Sequence, residues 1–380
     1  MGLVCTSAFN SHTAILFPTV YNLTSYQADF MMTAGEPAPC HPLPHRKSGA
    51  LDNFKYIETS PALGREYPGL QLSSIIDDEE IVRDLAITAS ERGVLFFDHQ
   101  DIAPSELKRL ILKIGELMGN PKEAGLHRHA FSIKGNEELN IPEVDDPDIL
   151  ILSSAVQNTN FNVALPVGSR KFASWGWHSD ESHEKYPPAY TGFKIAKSPP
   201  TGGDTLFVSS YGLYEYLSDP WQKFAESLTA THHAAEYLRH KDVGFKFHDN
   251  VKRGHPENVD LDFKASHPVV RTNPVTGWKG LYGVGWGLID GSFDNMTEDE
   301  SNLLKQYFLR VITDNSNLQI RKRWGDDGVA IWDNRAVHHN PTYDVVDGER
   351  TTFRVAGVGE KPYFDPNSTS RTEFLRKQRA

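Results

Sequence analysis

From about residue 170 onward the chain is written mainly in short apolar runs separated by turn residues. Thr191–Ala196, Thr205–Val208, Pro268–Arg271, Val329–Trp332 and Thr352–Val358 each read as a short strand. Asn273–Gly277 is a turn between two of them, which makes a hairpin. Helices interrupt the pattern at Gly212–Leu228 and Thr297–Ile312, the second opening on a capping box of Thr297 and Glu300. Many short strands with few helices specify a mainly β, α+β architecture. The expected core is an antiparallel barrel or jelly roll, a double-stranded β-helix, with flanking helices.

Upstream, Glu79–Gly93 reads as a helix and Val94–Phe97 as a buried strand. Ser105 is the expected cap of a second helix with the stripe Leu107, Leu110, Ile111 and Ile114, and Ile149–Leu152 is a further strand. No internal repeat is visible, and residues 51–380 are expected to form one domain. Residues 1–50 are proline-punctuated and aperiodic, so they are expected to be a tail or surface arm. No basic segment precedes an apolar stretch as in a secretory signal. Met1–Gly2 with Thr6, beside Cys5, fits a loose acylation pattern, but the plainer reading is a simple tail.

Composition narrows the chemistry. Cys5 and Cys40 are the only cysteines, against sixteen histidines. A disulfide framework, an all-cysteine zinc site and an iron–sulfur cluster are excluded, so any metal must be held by nitrogen and oxygen. The net charge of -11 disfavours nucleic acid, and no apolar run is long enough to span a membrane. The absence of a disulfide framework and of an export signal favours the cytoplasm.

Common catalytic signatures are missing: the sequence has no H-E-x-x-H, G-x-S-x-G or Walker A loop. Gly283–Gly287 is glycine-rich, but the third glycine of a dinucleotide fingerprint would fall on Leu288. It is read as a tight strand or bulge.

Two patterns carry metal chemistry. In Trp177–His178–Ser179–Asp180, a His and an Asp two apart on a strand share one face. By itself this is also the pattern of an ordinary His–Asp hydrogen bond. The second pattern, Ile331–His339, runs from an apolar strand through Asp333–Asn334–Arg335 to His338 and His339. Arg350 and Arg354 follow. A distant histidine added to His178 and Asp180 gives two imidazoles and one carboxylate, with three metal positions open, as in non-haem Fe(II) oxygenases. Those positions take an anionic cosubstrate, for which an arginine is a bidentate partner.

These residues resemble the TauD/TfdA family of Fe(II)/2-oxoglutarate-dependent dioxygenases, and especially its fungal members. The resemblance covers roughly residues 60–368. It rests on Trp177–His178–x–Asp180, Thr201–Gly202–Gly203–Asp204–Thr205, Trp332–Asp333–Asn334–Arg335, His339, Arg350 and Arg354 in order. It implies His178, Asp180 and His339 as iron ligands, with His338 the competitor for the last. It implies Thr205 and Arg350 as the holders of 2-oxoglutarate. Arg354 matches the arginine that meets the substrate anion, and His129, in Leu126–His127–Arg128–His129, matches a histidine facing the same group.

The chain departs from the family pattern after Asp180. Glu181–Ser182–His183 stands where many relatives have a small residue and then an aromatic, and Ser174 stands where sulfonate-oxidising members tend to place asparagine. These changes set the chain apart from the sulfonate enzymes. A Glu181 that meets an ammonium while Arg354 takes a carboxylate would suit an amino acid. His183 replaces the aromatic wall of the pocket.

The resemblance implies a dioxygenase that uses O2 and 2-oxoglutarate, releases succinate and CO2, and oxidises an unactivated C–H bond of a small anionic substrate. Hydroxylation, desaturation and ring closure are all within its chemistry. The alternatives are a sulfonate or alkyl sulfate dioxygenase, and a metal-binding barrel without turnover. Many relatives are oligomers, and a homo-oligomer is possible here. His232, His233, His240, His248 and His255 are read as part of a surface excursion that could cover the substrate.

Overall fold

The computed structural model describes residues 45–380, apart from 133–135, 137–138, 140, 155–172, 243–245, 249–250, 343, 346 and 380. The expectations for residues 1–44, the acylation pattern included, lie outside the described residues. Residues 45–50, read above as part of the arm, are docked. His45 N–H donates to the Val275 carbonyl at 2.9 Å. The Ser48 and Gly49 amides donate to the buried Asp84 carboxylate at 2.7 and 2.8 Å.

A seven-stranded sheet has the order Ile57–Glu58, Arg65–Glu66, Val94–Phe97, Val329–Asp333, Pro188–Lys197, Thr351–Val358, Leu150–Ser153. Its pairings are antiparallel except that of Arg65–Glu66 with Val94–Phe97. A three-stranded antiparallel sheet has the order Gln319–Lys322, Thr205–Ser209, Val337–Pro341.

The side-chain period of two sorts the large sheet into two faces. Leu95, Phe97, Val329 and Ile331 pack with Leu107, Leu110, Ile111 and Ile114 of the helix Pro104–Leu117. Val94, Phe96, Ala330 and Trp332 point the other way, into a cluster with Phe207, Val337 and Ile320 of the small sheet. The two sheets therefore face one another across an aromatic layer, in which Phe207 lies 5.7 Å from both Phe96 and Trp332.

The helix Glu79–Arg92 forms as expected, with the Asp78 carboxylate accepting from the Glu80 and Ile81 amides and Gly93 at φ 79° ending it. The second helix starts earlier than Ser105. Pro104 takes the first turn, where a missing N–H costs nothing, and the Ala103 amide donates to Glu106. The span Gly212–Leu228 is two helices, Ser210–Tyr216 and Asp219–Glu226. Pro220 explains the break, because its ring cannot follow a continuous helix through residue 216. The capping box of Thr297 and Glu300 opens the helix Glu298–Thr313. The hairpin of Val270–Thr272 with Lys279–Leu281 closes over Asn273–Gly277.

The region 229–268 is less peripheral than its polarity suggests. Thr229–His233 pairs with Lys264–Pro268, and His232 and His255 are buried rather than on the surface. His255 stacks on Tyr186 with ring centroids 3.6 Å apart.

Candidate active site

His178 and His339 are joined by their backbones. His178 N–H donates to the His339 carbonyl at 2.9 Å, and His339 N–H donates back to the His178 carbonyl at 2.8 Å. The bridge is isolated, so His178 is not within a strand, and Asp180 starts a turn rather than continuing one. Glu181, at φ 46°, bends the chain away immediately after it. Gly285 packs against the backbone just ahead of His178. At φ 85° its Cα lies so close to the Trp177 carbonyl that a Cβ would stand 2.3 Å from that oxygen.

Alternation along Val337–Pro341 sends the two histidines to opposite faces. His339 faces the aromatic layer, with Trp332 4.8 Å and Phe207 5.9 Å away. His338 points to the opposite face, where its Nδ1 is 3.1 Å from the Ser210 hydroxyl. The result is a buried cluster: one ligand atom from each of His178, Asp180 and His339 lies within 4.8 Å of the others.

His178 and Asp180 are each oriented from behind. His178 Nδ1 is 2.7 Å from the Gly176 carbonyl, which leaves Nε2 free to coordinate. Asp180 accepts a 2.7 Å hydrogen bond from Thr191 on one oxygen, while its amide donates to Asn334 Oδ1 at 3.2 Å. Asn334 in turn donates to Thr191 and accepts from the Trp332 indole, at 2.8 and 2.9 Å. The Trp332–Asn334 part of the motif is thus a bracket for Asp180. Its neighbours Asp333 and Arg335 form a buried ion pair that also binds Ser90, Asn273 and Glu360. Two imidazoles and a carboxylate, with one imidazole's tautomer set and the carboxylate held, fit a divalent metal such as iron.

The other charged groups are concentrated beside this cluster. Arg354 donates to Asp180 Oδ1 and Glu181 Oε1, both at 2.5 Å. Tyr237 donates to the other Glu181 oxygen at 2.9 Å, and its hydroxyl is 3.3 Å from His129 Nε2. Burial opposes the charges on Asp180 and Glu181, but neighbouring Arg354 and histidines outweigh it and hold both carboxyls below their usual range. Burial pushes His129 down to about 4. Glu184, clamped by Arg253 through two hydrogen bonds and facing His127, is held at about 2 although burial opposes its charge.

His129 and Arg354 line one cleft with His127, Ile149 and Leu150. His183 is buried near Glu181, its Nε2 3.7 Å from Oε2, with Tyr237 and Phe263 against its ring. Ser174 lies half-buried in the short turn Ala173–Gly176 ahead of His178. Tyr237, Arg253 and Glu184 escaped the sequence reading. Tyr237 and Arg253 sit in the polar stretch 229–268, where no spacing pattern distinguishes them, and Glu184 follows a motif that ends before it.

Thr205 and Arg350 meet through the glycine turn. Gly202 and Gly203 have φ of 80° and 69°, and a Cβ on Gly203 would stand 2.7 Å from Arg350 Cδ. Arg350 Nε donates to the Gly203 carbonyl at 2.9 Å, and its guanidinium lies 5.4 Å from the Phe193 ring centroid. Thr205 accepts from the Trp324 indole at 2.9 Å, and Trp324 packs on Phe193 at 5.3 Å.

With the cluster and its arginines in place, comparison with known proteins gives a consistent answer. The family model described as taurine catabolism dioxygenase TauD, TfdA family, matches residues 55–356. The chain belongs to the TauD/TfdA family. One TauD/TfdA relative, the alpha-ketoglutarate-dependent dioxygenase btcD of Neocamarosporium betae, is 40% identical over 87% of this chain and 98% of its own length. The alpha-ketoglutarate-dependent dioxygenase oryG of Aspergillus oryzae is 40% identical over 88% and 96%. A putative alpha-ketoglutarate-dependent sulfonate dioxygenase of Schizosaccharomyces pombe is 34% identical over 83% and 72%. Among solved TauD-type structures, a putative alpha-ketoglutarate-dependent taurine dioxygenase from Burkholderia xenovorans superposes with a TM-score of 0.61. It covers 83% of this chain and 93% of that one at 21% identity, a likeness that speaks to the fold alone.

Proposed function

We propose that His178, Asp180 and His339 hold Fe(II), and that Thr205 and Arg350 hold the distal carboxylate of 2-oxoglutarate. The chain is an alpha-ketoglutarate-dependent dioxygenase, and these assignments say how its own residues serve that activity. The single observation that carries the reading is the convergence of the three ligand atoms within 4.8 Å, in a chain of this family. We read the two facing sheets as the walls of a double-stranded β-helix with the site at one end. The site's expected setting is the cytoplasm.

When bound, iron and 2-oxoglutarate supply the power to oxidise an unactivated C–H bond with O2, giving succinate and CO2. The protein's part is positional. Thr191 and Asn334 fix Asp180, and the Gly176 carbonyl fixes His178. Arg350 offers a fork to a carboxylate, packed against Phe193 so that its approach is set. Arg354 and His129 face the cleft where a small anionic substrate (an amino acid, carboxylate or sulfonate) would be held close to the metal.

A second reading, oxidation of a sulfonate or alkyl sulfate with release of sulfite or sulfate, draws support from the sulfonate dioxygenase among the relatives. A panel of sulfonates, alkyl sulfates, aryloxy acids and amino acids, assayed by substrate-dependent succinate formation, tests both. Succinate above background with amino acids or carboxylates supports the first reading. Succinate with sulfonates or sulfates alone supports the second. None with any class counts against both.

A further inference from the structure

We infer that the substrate is an aminocarboxylate whose carboxylate is met by Arg354 and whose ammonium is met by Glu181; the inference rests on the dioxygenase reading. Glu181 is not a solvated residue beside the site. Its side chain is 3% exposed, and that of Arg354 is 12% exposed. The Glu181 carboxylate meets the Arg354 guanidinium at 2.5 Å, the Tyr237 hydroxyl at 2.9 Å and His183 Nε2 at 3.7 Å, and His127 and His129 also act on it electrostatically. Of these, only Arg354 is a permanent cation.

This arrangement discriminates between ligand charges. Arg354 lines the cleft and also carries the charge balance for Glu181. A ligand bearing only an anion must share or draw away that guanidinium. It leaves the Glu181 carboxylate buried with a hydroxyl, imidazoles and a new negative neighbour. A buried charge stripped of its partner is among the costliest arrangements in a protein. A ligand that carries an ammonium close to its carboxylate restores a cation to Glu181 as it occupies Arg354. In an α-amino acid the two groups are separated by one carbon, so they can reach side chains that are themselves in contact. Glu181 and Arg354 are such a pair. Tyr237 completes the subsite by joining Glu181 to His129, which lines the cleft with His127 and Arg354.

The test uses the full chain loaded anaerobically with Fe(II) and 2-oxoglutarate. L-α-amino acids are compared with the carboxylic acids that lack only the amino group, by their perturbation of the visible band of the loaded protein and by succinate release once O2 is admitted. The wild type is expected to favour at least one amino acid over its matched acid by tenfold or more. In Glu181→Gln that preference falls by tenfold or more and the matched acid gains. Preference of the wild type for the plain acids or for sulfonates overturns the inference, as does unchanged discrimination in Glu181→Gln. If Glu181→Gln does not fold, Glu181→Asp, which keeps the charge but shortens its reach, is expected to retain the preference at weaker affinity. The visible band of the ligand-free form reports the dioxygenase reading separately, so its presence without amino-acid preference counts against the inference alone.

Discussion

Arg354 reaches two acids at once, with one amino group on Asp180 and the other on Glu181, each at 2.5 Å. One side chain thereby links a proposed metal ligand to the residue where this chain departs from its family pattern. Replacing it with Gln should lower kcat/KM for substrate-triggered succinate formation by about 100-fold. The lost charge-assisted hydrogen bonds are worth roughly 1.5–3 kcal/mol each. Binding of 2-oxoglutarate, proposed as the task of Arg350, should change little. Equal losses in both would contradict the division of labour between the two arginines.

His339 and His338 are adjacent in sequence and opposite in direction. His339→Ala should abolish tight binding of Fe(II) or of Mn(II) as a redox-silent substitute, measured by calorimetry. His338→Ala should keep it, since the contacts it removes are with Ser210 and Tyr282 on the opposite face of the strand. The reverse result would move the metal to the other face of the strand.

At the cosubstrate end the two residues separate by readout. Arg350→Ala should weaken 2-oxoglutarate about 100-fold while leaving the metal bound. Thr205→Val should do something more structural as well, because the buried Trp324 indole N–H loses its acceptor. Such an unpaired donor costs about 1–3 kcal/mol. A lower urea midpoint for Thr205→Val is therefore expected.

Acid should loosen the fold in two steps. Burial holds His267 down at about 3, so it is neutral when folded and takes up a proton on unfolding below about pH 6.5. Stability is then complete above 6.5 and declines as pH falls toward 3. Glu184 is held at about 2, so its contribution is complete above about pH 4.5 and is lost between 4.5 and 2. Its share is on the order of 3 kcal/mol. Urea midpoints measured from pH 7 to pH 3.5 should fall throughout and steepen below 4.5. Glu184→Gln should start lower, because Arg253 is left buried without its partner, and should lose the steeper segment.

What could be read in advance follows from what is local. The strand Val329–Trp332 is legible as a continuous apolar run, and the choice of His339 follows from the spacing to the Asp333–Asn334–Arg335 turn and the two arginines that the family resemblance implies. The glycine turn before Thr205 was legible as a motif, and its reason, room for Arg350, needed the fold. His178 and Asp180 were expected on a strand. They lie on a bridge and a turn instead, because Glu181 takes a left-handed conformation that no local pattern announces. Tyr237 and Arg253 were illegible for a different reason. Their partners Glu181 and Glu184 are more than fifty residues away, and the polar stretch that carries them looks like surface.

The most direct test of the central claim is a spectrum. Under anaerobic conditions the purified chain is mixed with Fe(II) and 2-oxoglutarate, and the visible region is recorded for the wild type and for His339→Ala. A weak charge-transfer band in the wild type, lost in His339→Ala, is the predicted result. A wild type with no such band, indistinguishable from His339→Ala, would contradict it.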